Sequence, residues 1–471
     1  MPSDTLPPSP ELFSRWGAFQ TWWGRTNKEQ AQIAEARLLS RLQFFSFKGV
    51  ASTSADNSLT IARVGPVPLS GKNRQINTLV IHQNSSPSSV DTSDAAVESK
   101  DKETDDQGRT PIAQTRLDMK TATDEESMVS PPAPDERAIV VCHGYGAGLG
   151  FFFRNYLSLS QIPNSKIYAI DWLGMGGSSR PDFKFKHTPK TSIKEVVKDS
   201  EDFFIEGLEE WRQIQQIEKM VLIGHSLGGY LSAAYALKYP DRVEKLILVS
   251  PVGIPENPEA QRTPLPEPPS QNDATSANSV QPKLQSAPQI KLQPQPPLPQ
   301  QDATAPPTRS SWVRRLAMGA WERNITPQSI MRFTGPFGPS LVAAYTSRRF
   351  AYLEEDEQRD LNNYIYHISS KSGSGEYALA TILAPGAYAR WPLMDRLRDL
   401  KMPTVFLYGE SDWMDYRAAE KARQSMTVPT VLMRIPNAGH HLYLDNPPAF
   451  DKAILQTITR PWDRPNGDRT V

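Results

Sequence analysis

The residues best suited to do chemistry form the pentapeptide Gly224-His225-Ser226-Leu227-Gly228. It directly follows the apolar run KMVLI and precedes an alanine-rich segment, so we expect it on a tight turn between a strand and a helix. A serine on such a turn is exposed at a helix N-terminus, where the helix dipole favours developing negative charge. The pattern therefore predicts that Ser226 is the nucleophile of a serine hydrolase; the alternative is an inert serine in a helix N-terminal turn.

A serine nucleophile needs a general base, and the base needs a carboxylate that orients it. On this kind of turn the chain order is Ser, then Asp or Glu, then His. The run TVFLYGESD places Asp412 just past a strand, with Glu410 and Asp415 as alternatives. The run TVLMRIPNAGHH places His440 after the last strand, with His441 as the alternative. We predict that Asp412 orients His440.

The tetrahedral intermediate of acyl transfer also needs two N–H donors for its oxyanion. The backbone of Leu227 supplies one, and the loop after an earlier strand should supply the second. We predict that this second donor is Tyr145, in the segment HGYG that follows the run AIVVC. His143 is expected to orient the loop. The glycine-rich GYGAGLG lacks the spacing of a dinucleotide-binding loop, and no metal-ligand spacing occurs, so we expect no cofactor and no metal.

Short β-branched runs alternate with helical segments along most of the chain. These runs are AIVVCHG, KIYAIDWLG, KMVLIGHS, EKLILVSPVG, TVFLYGESD and TVLMRIPNAGH. Two earlier runs, SLTIARV and INTLVIHQ, predict an antiparallel edge. The fold class is therefore predicted as α/β: an α/β-hydrolase fold with a mostly parallel central sheet, helices on both faces and an inserted helical cap.

Composition divides the chain into ordered and polar segments. We predict an amphipathic helical segment (1–56), the first core strands (57–83), a disordered insertion (84–137), the hydrolase core (138–254), a Pro/Gln-rich disordered insertion (255–310), a helical cap (311–400) and the rest of the core (401–471). Both insertions are poor in aromatic residues.

Charge and cysteine content narrow the class of function. Lys+Arg and Asp+Glu both number 52 among the 471 residues, so the formal net charge is zero. Without an excess of positive charge, there is no electrostatic reason to expect nucleic-acid binding. The single cysteine, Cys142, lies in an apolar run and is expected to be a buried strand residue. We expect no transmembrane helix, because no apolar run reaches the ~18 residues that one needs, and no secretory signal.

Several motifs together resemble one α/β-hydrolase subfamily. They are HGYGAGLGFFFRNY, IDWLGMGGSSRP, GHSLGGYLSAAYALKYPDRVEKLILVSPVGIPE, YIYHISSKSGSGEYAL, YGESDWMD and AGHHLYLDNP. The chain resembles the subfamily of the lipid-droplet lipase coactivator, N-acyl phospholipid deacylases, mitochondrial cardiolipin-specific deacylases and proposed lysophosphatidic acid acyltransferases. The coactivator has asparagine where this chain has Ser226, so the resemblance is to the catalytic branch. His440 and Asp445 match the H-x4-D pattern invoked there for acyl transfer; alternatively, Asp445 only fixes the loop.

The resemblance implies a phospholipid deacylase that works through an acyl-enzyme on cardiolipin-type or related glycerophospholipids. The alternatives are a lysophosphatidic acid or lysophospholipid acyltransferase, with acyl-CoA as a partner, and a non-catalytic coactivator or scaffold. Aromatic residues in the cap are expected to line an acyl-chain pocket, and Arg348 and Arg349 to contact phosphate. The alternatives are ordinary core packing and a solvated basic pair.

A lipid-processing enzyme without a spanning helix must reach its substrate in another way. We predict that residues 10–25 form an interfacial anchor through Trp16, Trp22 and Trp23, because tryptophan favours the headgroup boundary. The alternative is that these tryptophans pack against the hydrolase core. The protein is expected to be intracellular and peripheral to a membrane, at the mitochondrion or, alternatively, at the lipid droplet or endoplasmic reticulum.

Overall fold

The computed structural model describes residues 15–23, 28–45, 59–84, 128–185, 187–188, 190–255, 319–321 and 323–459. Most of the two expected insertions, and the expected start of the cap, lie outside the described residues. The same holds for residues 10–14 of the expected anchor.

The central sheet contains eight strands in the order β1-β2-β4-β3-β5-β6-β9-β10. The ten strands of the described chain are β1 Leu59–Pro68, β2 Gln75–Asn84, β3 Arg137–Cys142, β4 Ser165–Ile170, β5 Met220–His225, β6 Val243–Val249, β7 Leu383–Ala384, β8 Tyr388–Ala389, β9 Thr404–Gly409 and β10 Thr430–Ile435. Strand β2 pairs antiparallel with both β1 and β4, and the pairs from β4 through β10 are parallel. The sheet is thus mostly parallel with an antiparallel edge.

Alternate residues of the buried strands pack on opposite faces of the sheet, as the two-residue period of a strand requires. In β5, Leu222 belongs to one hydrophobic cluster, whereas Val221 and Ile223 belong to the other. Because both faces are covered, the central strands are continuous apolar runs. This explains why their sequences do not alternate between apolar and polar residues.

Helices cover both faces of this sheet, and further helices form the cap. They are α1 Arg15–Trp23, α2 Lys28–Leu39, α3 Tyr156–Ser160, α4 Ile193–Ile214, α5 Leu227–Lys238, α6 Pro327–Phe333, α7 Gly338–Arg349, α8 Glu355–Ser370, α9 Ala378–Ile382, α10 Tyr416–Arg423, α11 Leu442–Asp445 and α12 Pro447–Thr459. Helices α4, α5 and α10 bury residues in one cluster, and α2, α3 and α12 in the other. Helix α4 begins with a capping box between Ser192 and Glu195, which fixes its N-terminus.

The cap consists of α6 to α9 and the β7–β8 hairpin, and it enters the chain between β6 and β9. Both N-terminal helices pack on it: α2 against α8, and α1 against α7 and the turn Gly335–Phe337. Helix α1 therefore extends the cap, whereas α2 packs between the cap and the core. Within the described residues, no helix is both long and apolar enough to cross a bilayer.

Contacts with the core extend into parts of two segments that the sequence assigns elsewhere. Residues 128–136, expected within the disordered insertion, are tied to the core: Ser130 N–H donates to Gln215 Oε1 at 2.8 Å, and Lys166 Nζ donates to Pro131 O at 2.9 Å. Residues 393–400, expected in the cap, bury Leu393 and Leu397 in the core. Composition averaged over a long segment does not reveal such local side-chain contacts.

Candidate active site

Ser226 lies on the turn between β5 and α5 in a conformation that non-glycine residues rarely adopt, with φ +54° and ψ −117°. The flanking glycines permit this turn. A Cβ on Gly224 would lie 2.4 Å from the Gly228 carbonyl oxygen, and one on Gly228 would lie 2.3 Å from the His143 carbonyl oxygen. The Ser226 N–H donates to Val249 O at 2.9 Å, which ties the turn to the end of β6. Such strain is typical of functional sites.

Three predicted residues come together at the carboxyl end of the sheet. His440 Nε2 is 3.0 Å from Ser226 Oγ, and His440 Nδ1 is 3.1 Å from Asp412 Oδ1. The Met414 N–H also donates to Asp412 Oδ1, at 3.0 Å. A buried carboxylate beside Nδ1 favours the tautomer with its proton on Nδ1, which leaves the Nε2 lone pair facing the serine hydroxyl. The arrangement has the connectivity of a Ser-His-Asp triad.

The alternative candidates for the orienting carboxylate and for the base make other contacts. Glu410 accepts the Asn437 N–H at 3.3 Å, and Asp415 caps α10 by accepting the Arg417 N–H at 3.0 Å. His441 accepts from Arg349 Nη2 at 2.9 Å. Burial, and then the Arg349 charge, hold the pKa of His441 well below its usual range.

Two neighbours of His440 carried no signal of their own in the sequence. The His225 ring lies 4.9 Å from the His440 ring, and its Nε2–H donates to the His440 carbonyl oxygen at 3.0 Å. Burial, and then His440, lower the pKa of His225 well below 6.5, so it is neutral. On the solvent side, the half-exposed Trp413 ring lies 5.1 Å from the His440 ring. His225 is thus hydrogen-bonded to the backbone of His440, and the Trp413 ring packs beside the imidazole.

The expected oxyanion loop lies directly against the serine. A Cβ on Gly144 would lie 2.9 Å from Ser226 Cβ, so only glycine lets this loop approach. Tyr145 follows Gly144, and its N–H makes no hydrogen bond within the part of the chain that the structure describes. Leu227 is the first residue of α5, where backbone N–H groups have no acceptor within the helix. Tyr145 and Leu227 thus flank Gly144 and Ser226 along the chain, and their role as oxyanion donors stays a prediction.

His143 has the orienting position that the sequence predicted. Its Nε2 accepts the Trp172 N–H at 3.2 Å, and its carbonyl oxygen accepts the Trp172 indole N–H at 3.0 Å. Its Nδ1 lies 2.7 Å from the Gly144 carbonyl oxygen. Burial lowers the pKa of this imidazole, so a neutral His143 holds the loop.

A buried carboxyl pair that the sequence did not reveal lies beneath this loop. Asp171 Oδ1 accepts the Leu149 N–H at 2.7 Å, and Asn77 Nδ2 donates to Asp171 Oδ2 and Glu35 Oε1, each at 2.9 Å. Burial, and then the Asp171 charge, raise the pKa of Glu35 to about 8. The protonated carboxyl group of Glu35 thereby connects helix α2, through Asn77 and Asp171, to the segment that follows the oxyanion loop.

The residues expected to contact phosphate lie at the C-terminal end of α7. Arg349 contacts both Asp445 carboxylate oxygens at 3.4 Å in addition to His441. The exposed Arg348 donates from Nε to the Ala344 carbonyl oxygen at 2.9 Å. Arg349 thus joins the cap to the loop that carries His440.

The aromatic residues in the described part of the cap lie in two different environments. Phe350 and Tyr364 are fully buried in a core cluster, whereas Phe333 and Phe337 are 89% and 71% exposed. Trp312 lies outside the described residues. Core packing therefore explains some of these residues, and others lie on the surface.

Trp16 of the expected anchor is 67% exposed and stacks on Phe19 with ring centroids 5.9 Å apart. Trp22 is half-buried on the side where α1 meets the cap, near Gly335. The side chain of Trp23 lies outside the described ones. Helix α1 contacts the cap, and the membrane anchor stays a prediction.

Cys142, at the end of β3, is fully buried as expected. Across the described ranges, no group of three or more His, Cys, Asp or Glu side chains is arranged to hold a metal ion.

A mostly parallel sheet, a strained serine between strand and helix, and a histidine and aspartate that follow in that fold's order define an α/β hydrolase. The family model described as alpha/beta hydrolase fold matches residues 137–447, more than half of the 471 residues. The chain belongs to this family.

Similar proteins of known name narrow the family to the subfamily that the motifs predicted. The chain is similar to the probable 1-acylglycerol-3-phosphate O-acyltransferase of Oryza sativa subsp. japonica, with 36% identity, 73% of this chain and 73% of that protein covered. It is 32% identical to the (lyso)-N-acylphosphatidylethanolamine lipase of Homo sapiens, covering 70% and 81%. It is also 32% identical to the 1-acylglycerol-3-phosphate O-acyltransferase ABHD5 of Mus musculus, covering 68% and 76%. The chain is thus related to phospholipid lipases and acylglycerophosphate acyltransferases.

Proposed function

We propose that this protein deacylates a membrane glycerophospholipid through an acyl-enzyme on Ser226. The observation that carries the proposal is the hydrogen-bonded series from Ser226 Oγ through His440 to Asp412, at 3.0 Å and 3.1 Å. A serine at the start of a helix, beside an imidazole with an orienting carboxylate, is activated for attack on an ester carbonyl.

In the first step His440 Nε2 takes the hydroxyl proton as Ser226 Oγ bonds to the ester carbon. The carbonyl oxygen becomes an oxyanion, which the Tyr145 and Leu227 N–H groups stabilise. Asp412 stabilises the imidazolium. The tetrahedral intermediate then collapses: the bond to the alcohol oxygen breaks, His440 returns its proton to that oxygen, and the lysophospholipid leaves.

In the second step water attacks the acyl-enzyme, with His440 again accepting a proton. Collapse of the second intermediate returns that proton to Ser226 Oγ and releases the fatty acid. The same base serves both half-reactions, because the bond from Nδ1 to Asp412 keeps the imidazole in one orientation and one tautomer.

The glycerophospholipid substrate class is drawn from the relatives. The human relative is named as a lipase of (lyso)-N-acylphosphatidylethanolamine, and the rice relative as a probable acyltransferase on 1-acylglycerol-3-phosphate. Both substrates carry a fatty acyl group and a phosphate on one glycerol. We extend that class to this chain, and a cardiolipin-type lipid belongs to it.

Acyl transfer is the second candidate function, because two relatives are named as acyltransferases. Here Ser226 would take the acyl group from acyl-CoA, releasing the thiol, and the hydroxyl of lysophosphatidic acid would replace water in the second step. No further catalytic group is required, since His440 would deprotonate either acceptor.

Peripheral membrane binding completes the proposal. Trp16 on α1, Phe333 at the end of α6 and Phe337 in the following turn are all largely exposed. Helix α1 packs on that same turn, so these side chains belong to one part of the cap. Large exposed apolar side chains that lie close together are typical of sites that contact a membrane or a protein. We propose that this surface lies on an intracellular membrane, with the mitochondrion first among the candidates.

The test compares wild-type protein with Ser226→Ala on vesicles of phosphatidylethanolamine, phosphatidic acid or cardiolipin. Fatty acid release by the wild type alone supports the deacylase. Transfer from labelled acyl-CoA to lysophosphatidic acid, without fatty acid release, supports the acyltransferase. Equal release by both proteins would overturn the serine mechanism and favour a non-catalytic coactivator. Fractionation of cells that express the full chain tests the mitochondrial location.

A further inference from the structure

A small crevice lies between the oxyanion loop and the cap. Its walls include Tyr145 and Gly146 of that loop, Arg180 of the segment after β4, and Gln328 and Ser369 of the cap. The Tyr145 hydroxyl donates to Gln328 Oε1 at 2.5 Å, so the cap and the oxyanion loop meet at the crevice. With a volume of about 20 Å³, the crevice has room for one water-sized group.

The only cation among the residues that line this crevice is Arg180. Its guanidinium donates to three backbone carbonyl oxygens: Nη1 to Ser178 at 3.2 Å, and Nη2 to Gly176 at 2.9 Å and Ile368 at 3.2 Å. A guanidinium has five N–H donors. The Nε–H and one Nη1–H therefore have no acceptor among the residues that the structure describes.

No carboxylate within the described ranges forms an ion pair with Arg180. Glu376 also lines the crevice, but its Oε1 lies 2.5 Å from Arg332 Nη2 and accepts the Thr326 hydroxyl at 2.7 Å. Asp171 accepts the Gly177 N–H at 2.6 Å in addition to the Leu149 N–H. Burial lowers the pKa of Arg180 to about 10, so the guanidinium remains charged at neutral pH. The guanidinium is thus hydrogen-bonded to neutral acceptors, and the Asp171 and Glu376 charges act on it only from beyond ion-pair distance.

We propose that Arg180 binds the phosphate of the phospholipid, with one phosphate oxygen in the crevice. This inference rests on the proposed function. Guanidinium N–H groups match phosphate oxygens in geometry and charge, and a partly desolvated site strengthens the bond. In a glycerophospholipid only a few bonds separate the phosphate from an acyl ester. A phosphate beside Tyr145 can therefore accompany an ester carbonyl at the Tyr145 N–H.

This assignment differs from the sequence prediction, which chose Arg348 and Arg349. Arg349 already contacts Asp445 and His441. Arg180 lies in the motif IDWLGMGGSSRP, immediately before Pro181. Its side chain is fixed by the segment that carries it and by the end of α8, so it is preorganised for an anion.

The test uses two substrates with the same acyl chain, oleoyl lysophosphatidic acid and monooleoylglycerol. Arg180→Gln should lower the ratio of their kcat/KM values by roughly 10- to 100-fold, the size expected for a hydrogen bond between charged groups. Arg180→Lys, which keeps the charge but not the planar fork, should give an intermediate ratio. Arg398→Gln is the matched control, because Arg398 lies on the surface with 63% of its side chain exposed.

Arg180 also joins two segments of the fold, and a purely structural role would lower both kcat/KM values together. An unchanged ratio in Arg180→Gln would therefore overturn the inference, and so would a loss of ratio in Arg348→Gln instead. A second measurement does not depend on turnover: sn-glycerol 3-phosphate should raise the melting temperature of the wild type but not of Arg180→Gln. If neither substrate is turned over, the proposed function fails; an equal shift in both proteins refutes the phosphate site alone.

Discussion

The carboxylate of Asp445 accepts the backbone N–H of Gly439 at 2.9 Å, one residue before His440. The other oxygen of this carboxylate accepts the Tyr352 hydroxyl at 2.5 Å, and Arg349 lies 3.4 Å from both oxygens. Asp445 therefore fixes the loop of the proposed base to the cap. In the H-x4-D pattern, this geometry supports a positioning role for Asp445 rather than direct participation in acyl transfer.

We expect Asp445→Ala to lower hydrolysis and acyl transfer by the same factor. Because small displacements of a catalytic group cost up to about 100-fold in rate, a loss of roughly 10- to 100-fold is expected for both. Tyr352→Phe removes only the cap-side hydrogen bond and should cost less. Both rates are measured on one preparation; a loss of transfer with hydrolysis kept would show that Asp445 acts in transfer itself.

Substitution of the proposed triad should abolish turnover with little effect on folding. Ser226→Ala and His440→Ala should each lower kcat by several orders of magnitude, and Asp412→Asn by up to about 10⁴-fold, as in other triads. A fluorophosphonate probe should label the wild type at Ser226. Ser347→Ala, at a partly exposed serine of the cap, is the control. Labelling that persists in Ser226→Ala would refute the assignment.

The pKa of Glu35 predicts a pH dependence of stability. Burial, and then Asp171, raise this pKa from 4.5 to about 8, although Asn77, Lys371 and Tyr364 favour the charged form. A raised carboxyl pKa in the folded state means that stability is fully present below the unfolded value of 4.5. It is lost as pH rises towards the folded value of about 8.

The glutamine side chain cannot ionise. The free energy of unfolding of Glu35→Gln should therefore rise relative to that of the wild type between about pH 5 and pH 8. The free energy is measured by denaturant unfolding across this range. Titrating groups that do not interact with Glu35 affect both proteins alike and cancel in the difference, whereas Asp171 and Lys371 contribute to it. Glu29→Gln, an exposed residue of the same helix, is the control and should follow the wild-type curve. A constant difference between wild type and Glu35→Gln would contradict the raised pKa.

The sequence predicts what local patterns encode, namely the turn that carries Ser226 and the order in which Asp412 and His440 follow. Each lies at the end of an apolar run, and the parallel sheet brings such ends together. The contacts of Asp445 with Arg349 and of Glu35 with Asn77 join residues distant in the chain. No periodicity marks those pairs, so only the folded structure reveals them. For the same reason, no local pattern indicates that Arg349 contacts Asp445 and His441.

The exposed apolar surface of the cap should bind membranes. We expect the double variant Phe333→Ser, Phe337→Ser, and separately Trp16→Ala, to bind phospholipid vesicles more weakly and to release less fatty acid from them. Burying one such side chain is worth about 1.5–3 kcal/mol, so the partition coefficient should fall by roughly tenfold or more per residue. Turnover of a soluble ester and the melting temperature should change little, because these side chains are 89%, 71% and 67% exposed.

Leu157→Ser is the control, since Leu157 is 48% exposed but belongs to α3 of the core. If the cap variants float with vesicles as the wild type does, the cap is not the membrane surface. If soluble-ester turnover falls in parallel, these residues act through the fold and not through the lipid.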